Sequence, residues 1–482
     1  MVLLDNNNRD YDAIRSAFRW PSLEHYNIGV QICDRHENRH DAVALYCENA
    51  HGEEFRVTFG ELKRLSNRFA NALAALDVER GDRVAIILPQ RYETVVAHIA
   101  VYKLGAVALP LSVLFGPDAL DYRLRTSGTS VVVTDAEHAQ RIEPLRDALP
   151  ALRTIVCCDA HGPRPRFPDL IERAADAFNP VLTGPHDPAL LIFTSGTTGP
   201  PKGALNAHRC LLGNLPGFEL SHDFFPQAGD LMYTPADWAW TGGLMDGLIP
   251  ALNYGVPVLG FDGGRFDPER ALALMARYEV RNAFIPPTAM KMLMQVPELE
   301  RRSDLSLRSI MSAGEQVGVE VLRFAREALG VQLNEMWGQT EFNYLAGSAA
   351  SVFETRPGSM GKAYPGHDVA VVDAHGQPVP DGEVGGLAAR RDGDPVHFLG
   401  YWNDDAATQE NVRGPWWLTG DQGYRDTDGY LWYVGRTDDV ISSAGHRIGP
   451  GEIEDCLLKH PAVAEAAVIG TPDPMRGQAI KA

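Results

Sequence analysis

Thr194, Ser195, Gly196, Thr197, Thr198, Gly199 and Lys202 form the densest run of chemistry-bearing residues in the chain. Small residues let backbone N–H groups converge on an anion, hydroxyls add donors, and the lysine ammonium supplies a point charge. That combination suits a phosphate chain. It is not the Walker loop, because Gly203 rather than Ser or Thr follows Lys202. A plain surface loop has a similar composition. The apolar run 189–193, however, reads as a short buried strand aimed into it.

Other candidates lie downstream. Gly314 and Glu315 close one strand-like run, and Glu335-Met336-Trp337-Gly338-Gln339-Thr340-Glu341 closes another. A carboxylate such as Glu341, set beside phosphate oxygens, can hold Mg²⁺, an ion that needs only one or two protein ligands. Asp421 follows the turn Thr419-Gly420, and short acids at strand ends commonly hydrogen-bond ribose hydroxyls. Arg436, Asp438, Gly445, His446 and Arg447 fall in one charged segment. Each motif in isolation also reads as a solvated turn.

These residues need a scaffold. Strand-like runs at 84–88, 131–134, 154–157, 190–193, 256–261, 282–285, 309–312 and 331–337 alternate with helical segments such as 94–104. Thr58 and Glu61 resemble a capping box, after which Leu62, Leu65, Phe69, Leu73 and Leu76 share a helical face. The alternation predicts parallel sheets with helices on both faces and ligands beyond the carboxyl ends of the strands. From about Ser351, short strands and turns predict a small all-β subdomain, followed by a helix at 451–458 and a strand at 464–469.

A length of 482 residues predicts more than one domain, and 45% hydrophobic with 22% charged residues is ordinary for a soluble protein. The net charge of −19 argues against nucleic acid and anionic membrane partners. It leaves anionic small molecules open, because loops and helix ends bind those locally. Six cysteines without a CxxC pair fit reduced thiols, and no apolar run is long enough to span a bilayer. A polar N-terminus then leads to an expectation of a cytoplasmic protein.

The run FTSGTTGPPKG resembles the signature loop of the adenylate-forming enzymes, and within them the AMP-forming acetyl- and medium-chain acyl-CoA synthetases. The resemblance spans nearly the whole chain. It implies an α/β fold: a large N-terminal domain (1–436) of two helix-flanked sheets plus a distorted β-barrel, then a small mobile α+β domain (437–482). It implies ATP, Mg²⁺ and CoA as reaction partners and is compatible with a homo-oligomer. By the same resemblance Thr194–Lys202 hold phosphates, and Gly314, Glu315, Glu335, Met336, Trp337, Gly338 and Gln339 surround adenine, with Trp337 stacking. Thr340 meets the α-phosphate and Glu341 the metal. Asp421 and Arg436 hold the ribose, Arg447 faces the phosphates, Gly445 and His446 meet CoA, and Asp438 is the hinge. Trp240, Thr241, Gly242 and Gly338 line the acyl pocket, where glycine at 338 replaces the tryptophan of acetyl-CoA synthetases and implies a deeper pocket. The expected substrate is a medium-chain fatty acid, with a benzoate-like acid as the alternative. Delivery of the acyl group to a carrier protein instead of CoA is a further alternative. The family's late Ser-Gly-Lys lysine has no counterpart before Ala482, which leaves an incomplete C-terminal domain and a non-catalytic nucleotide- or acyl-binding protein as the last alternative.

Overall fold

The computed structural model describes residues 2–159, 164–194, 200–299, 304–437, 439, 441–443, 446–448, 450–458, 460, 462–463, 465–473 and 477–482. Three sheets organise it. The first has seven strands in the order Gly400–Tyr401, Lys202–Ala207, Pro188–Thr194, Val107–Pro110, Arg83–Ile87, Val131–Thr134 and Thr154–Cys157. Its parallel members are short Val-, Ile- and Leu-rich runs buried on both faces, the pattern that helix-covered parallel strands require. The helix Tyr92–Lys103 is buried almost throughout, because it lies beneath other helices as well as against this sheet.

The second sheet has fourteen strands. Val43–Asn49, Val258–Asp262, Met232–Tyr233, Asn282–Phe284, Ser309–Ser312 and Leu333–Trp337 run parallel through its middle. The capping box at Thr58 is formed: Glu61 N donates to Thr58 Oγ1 at 3.2 Å, and Thr58 N to Glu61 Oε2 at 2.9 Å. The helix Phe59–Ala75 that follows buries Leu62, Phe69 and Leu73 completely. An α/β fold with two large sheets and a smaller α+β unit is what the chain adopts.

Three expectations are corrected. The β-rich stretch after Ser351 is not separate, because Ala346–Gly347 pairs with both Leu333–Trp337 and Ser359–Ala363 and carries the large sheet onward. Lys202 is not merely the end of a loop: it opens the return strand of a hairpin, with Thr194 opposite it in register. The strand expected at 464–469 instead begins at Ile469, because Val468 N donates to Glu454 Oε1 (2.8 Å) and not to a strand neighbour. Ala464 lies outside the described residues. Beyond Arg436, the strands Ile441–Ser443, His446–Ile448, Ile469–Asp473 and Gly477–Lys481 form the third sheet, beside the helix Pro450–Leu458. None of the six cysteines is in a disulfide, and no helix among the described residues is long and apolar enough to cross a membrane.

Candidate active site

Beyond the carboxyl ends of the central strands lies a cavity of 280 Å³. Gly314, Glu315 and Gln316 line it from the turn after Ser309–Ser312, and Glu335 through Gln339 from the end of Leu333–Trp337. Asp421 and Arg436 close it from two antiparallel strands on which they are direct partners. That pairing brings Arg436 Nη1 to 2.9 Å from Asp421 Oδ1, while Asp421 Oδ2 accepts from Trp337 Nε1 (3.0 Å) and Gln339 Nε2 (3.1 Å). The carbonyl of Thr419 ties in the same amide and guanidinium at 2.8 and 3.1 Å. Burial pushes the Asp421 carboxyl above its ordinary range, against the pull of Arg436. Glu335 accepts from Val317 N at 3.2 Å and so braces the turn that carries Gly314. Glu315 is exposed and accepts from Thr288 Oγ1 at 2.9 Å. Gln316, Met360 and Tyr433 also line the cavity. No motif in the sequence marks these three.

The second cluster surrounds Glu341. Its side chain is buried, and Oε1 accepts from Tyr401 Oη at 2.6 Å. Burial raises its carboxyl, with Tyr401 as the largest opposing influence and Arg436 a more distant one. A buried, all-oxygen donor with so little compensating positive charge fits a hard divalent cation such as Mg²⁺. Lys202 Nζ sits 5.3 Å from the centre of the Tyr401 ring, and Thr194 Oγ1 donates to Lys202 O at 3.3 Å. Tyr401 therefore joins Lys202 to the Glu341 carboxylate. Sequence reasoning missed it, because strand pairing with Ala204 brings it here from a distant part of the chain. Thr340 Oγ1 is 3.2 Å from Thr241 Oγ1, which links this cluster to the segment 240–242.

Gly338 and Gly242, both expected to line an acyl pocket, are closely packed. A Cβ built on Gly338 would lie 2.8 Å from Tyr344 N, 3.0 Å from Phe342 O and 3.1 Å from Asn343 Cα. Glycine stands there because the 342–344 backbone approaches it, held by Gln339 N donating to Phe342 O at 2.7 Å. Gly242 is packed in the same manner, with Phe284 Cε1 at 2.8 Å from a built Cβ. Trp240 is 41% exposed and meets Phe115 edge-to-face at 5.7 Å, whereas Trp238 is core.

Ser195, Gly196, Thr197, Thr198, Gly199, Asp438 and Gly445 lie outside the described residues. His446 and Arg447 fall in a strand paired with Ile441–Ser443, and their side chains are outside the described set.

Residues 33–402 match the AMP-binding enzyme family and residues 452–482 its C-terminal domain. The chain is 32% identical to acyl-coenzyme A synthetase ACSM4, mitochondrial, of Rattus norvegicus, covering 98% of this chain and 83% of that protein. It is 34% identical to acetyl-coenzyme A synthetase of Bacillus subtilis (strain 168), over 99% of this chain and 86% of the relative. The anthranilate CoA ligase AuaEII, solved with anthranoyl-AMP, superposes with a TM-score of 0.87 at 28% identity, covering 95% of this chain and 87% of that one. The cytoplasmic expectation does not stand, because ACSM3 and ACSM4 relatives from rat, mouse and human are mitochondrial. A polar N-terminus and the lack of a spanning run do not distinguish one aqueous compartment from another. The chain belongs to the AMP-binding enzymes and is an AMP-forming acid–CoA ligase, with ATP, CoA and a carboxylic acid as substrates.

Proposed function

We propose that the 280 Å³ cavity receives the adenosine of ATP and that the acid is activated where Thr340, Glu341 and Lys202 converge. The observation that carries this is the Asp421 cluster, in which one carboxylate fixes Trp337, Gln339 and Arg436 around the cavity. Trp337 offers its indole face to adenine while its N–H is engaged. Asp421 keeps acceptor capacity for a ribose hydroxyl, since a carboxylate offers about four lone-pair sites. Thr194, Lys202 and the loop between them take the β- and γ-phosphates. Mg²⁺ at Glu341 would neutralise charge on the phosphate oxygens.

In the first half-reaction the acid's carboxylate attacks the α-phosphorus and pyrophosphate leaves. Thr340 and Lys202 stabilise charge on the phosphoryl oxygens there. In the second, the CoA thiol attacks the acyl carbon and AMP leaves. We place the domain boundary after Arg436, with rotation about Asp438 and with His446, Gly445 and Arg447 serving the two halves. Alternation of that kind lets one closed site serve two unlike reactions.

For the acid we propose a medium-chain fatty acid, supported by the apolar wall that Trp240 and Phe115 present beside Thr241. A benzoate-like acid is the second reading, because the same pair of rings suits an aromatic guest. Pyrophosphate release with ATP and a panel of acids from acetate to octanoate, with benzoate included, tests both. Strongest turnover of octanoate supports the first, and of benzoate the second. Release that no acid stimulates would overturn the proposed activation site.

A further inference from the structure

We infer that Tyr401 is a positioning residue for the first half-reaction, its hydroxyl aiming the Glu341 carboxylate at the metal that accompanies ATP. The inference rests on the proposed role of Glu341. Tyr401 is itself held from several sides. Its strand Gly400–Tyr401 pairs antiparallel with Ala204 and Leu205, and Leu399 N and Trp402 N donate to Leu205 O and Gly203 O, each at 2.7 Å. Its own N–H donates to Thr408 Oγ1 at 2.9 Å, and its ring packs against Phe398 (5.2 Å) and Trp417 (6.0 Å). A hydroxyl so fixed donates to Glu341 Oε1 at 2.6 Å. One proton on one oxygen sets the carboxylate's orientation and leaves Oε2 to take a cation.

The same strand pairing makes the arrangement more than a local contact. Ala204, opposite Tyr401, is two residues from Lys202, whose Nζ lies 5.3 Å from the Tyr401 ring centre. Glu341 is bound to the segment by its backbone too, since Phe398 N donates to Glu341 O at 3.1 Å. Anion-facing lysine and cation-facing carboxylate therefore keep a fixed spacing, with one tyrosine between them. The triphosphate and its metal meet both groups at that spacing.

The test uses the full chain with Mn²⁺ standing in for Mg²⁺, and reads Mn·ATP affinity by electron paramagnetic resonance beside metal-free ATP affinity. Y401F keeps the ring and removes only the hydroxyl. It should weaken Mn·ATP binding by about tenfold, the scale of lost outer-shell support at metal sites, and leave metal-free ATP binding unchanged. E341D, which keeps the charge but shortens its reach to the hydroxyl, should show a comparable loss. In the background of E341Q, Y401F should cause no further loss, because a positioning residue has nothing left to position. Unchanged Mn·ATP affinity in Y401F, with E341Q weakened, would overturn the role of Tyr401 and leave Glu341 standing. Unchanged affinity in E341Q would overturn the Glu341 reading and this inference with it.

Discussion

On one side of residue 338, three side chains from separate strands and a turn meet on the carboxylate of Asp421. On the other side, Gly338 and Gly242 lie against the 342–344 backbone and Phe284, and the polar pair Asp246–Asn343 is buried behind them. Directional bonds shape the proposed nucleotide side, and close packing shapes the proposed acid side. The difference has a physical consequence. A hydrogen-bonded cluster is defined by residue type, so one substitution removes a specific function. A packed wall is defined by shape, so one substitution there shifts everything that touches it.

The sharpest way to break the contrast is Asp421→Ala. It leaves the Trp337 indole, the Gln339 amide and the Arg436 guanidinium without their shared acceptor, so ATP affinity should fall by about a hundredfold or more. Stability should drop by about 3 kcal/mol as well, the usual scale for removing one partner of a buried pair. ATP titration and urea unfolding measure the two, and near-normal values in both would show that the cluster does not organise the cavity.

Gly338→Trp probes the packed wall. Overpacking against a backbone turn costs about 1–3 kcal/mol, and turnover should fall together for octanoate and propionate. Their efficiency ratio should stay where it was. A ratio that swings toward propionate would place an acyl pocket at residue 338.

Asp246 sharpens the comparison through pH. Burial holds its carboxyl well above the ordinary range, with the Asn343 amide as the opposing hydrogen bond. The folded state binds this proton more tightly than the unfolded one, so the group favours folding below the ordinary carboxylate pKa. That contribution is lost as pH rises through the raised value. Asp246→Asn should therefore flatten the stability–pH curve above the ordinary range, measured by urea unfolding at several pH values. A curve as steep as before would assign the slope to another group.

The smallest expected effect is at Trp240. Trp240→Ala should lower the octanoate-to-propionate efficiency ratio roughly tenfold, about 1.4 kcal/mol of apolar contact, with ATP affinity unaltered. A ratio that stays put would remove the Trp240–Phe115 wall from the acid site.

Legibility in the sequence follows the same division. Trp337, Gln339 and Glu341 belong to one contiguous motif, and Asp421 and Arg436 to two more, so residue type alone pointed to the cluster. Their mutual bonds depend on the register Asp421↔Arg436, which no local pattern encodes. Tyr401, Met360 and Tyr433 reach the site only through long-range strand pairing and were invisible for that reason. Gly338 is ambiguous in the sequence because a missing side chain reads equally as empty space or as backbone contact. The parallel strands were legible from their apolar runs. The strand expected at 464–469 begins only at Ile469, since the Val468 backbone N–H donates to Glu454 and not to a strand neighbour.

Strand pairing also sets a timetable for assembly. Arg83–Ile87, Val107–Pro110, Val131–Thr134 and Thr154–Cys157 find one another within a short stretch of chain, as soon as that stretch has left the ribosome. Val43–Asn49 is made earlier, yet its parallel partner Val258–Asp262 is made much later. Leu3 and Leu4 likewise wait for Glu219, whose carboxylate accepts their N–H groups at 2.7 and 2.9 Å. The first-made part of this chain is thus among the last to settle. During synthesis Glu54–Thr58 covers one edge of residues 43–49 at once, but the other edge stays open until Val258–Asp262 arrives, and that edge is exposed to pairing with other nascent chains in the interval.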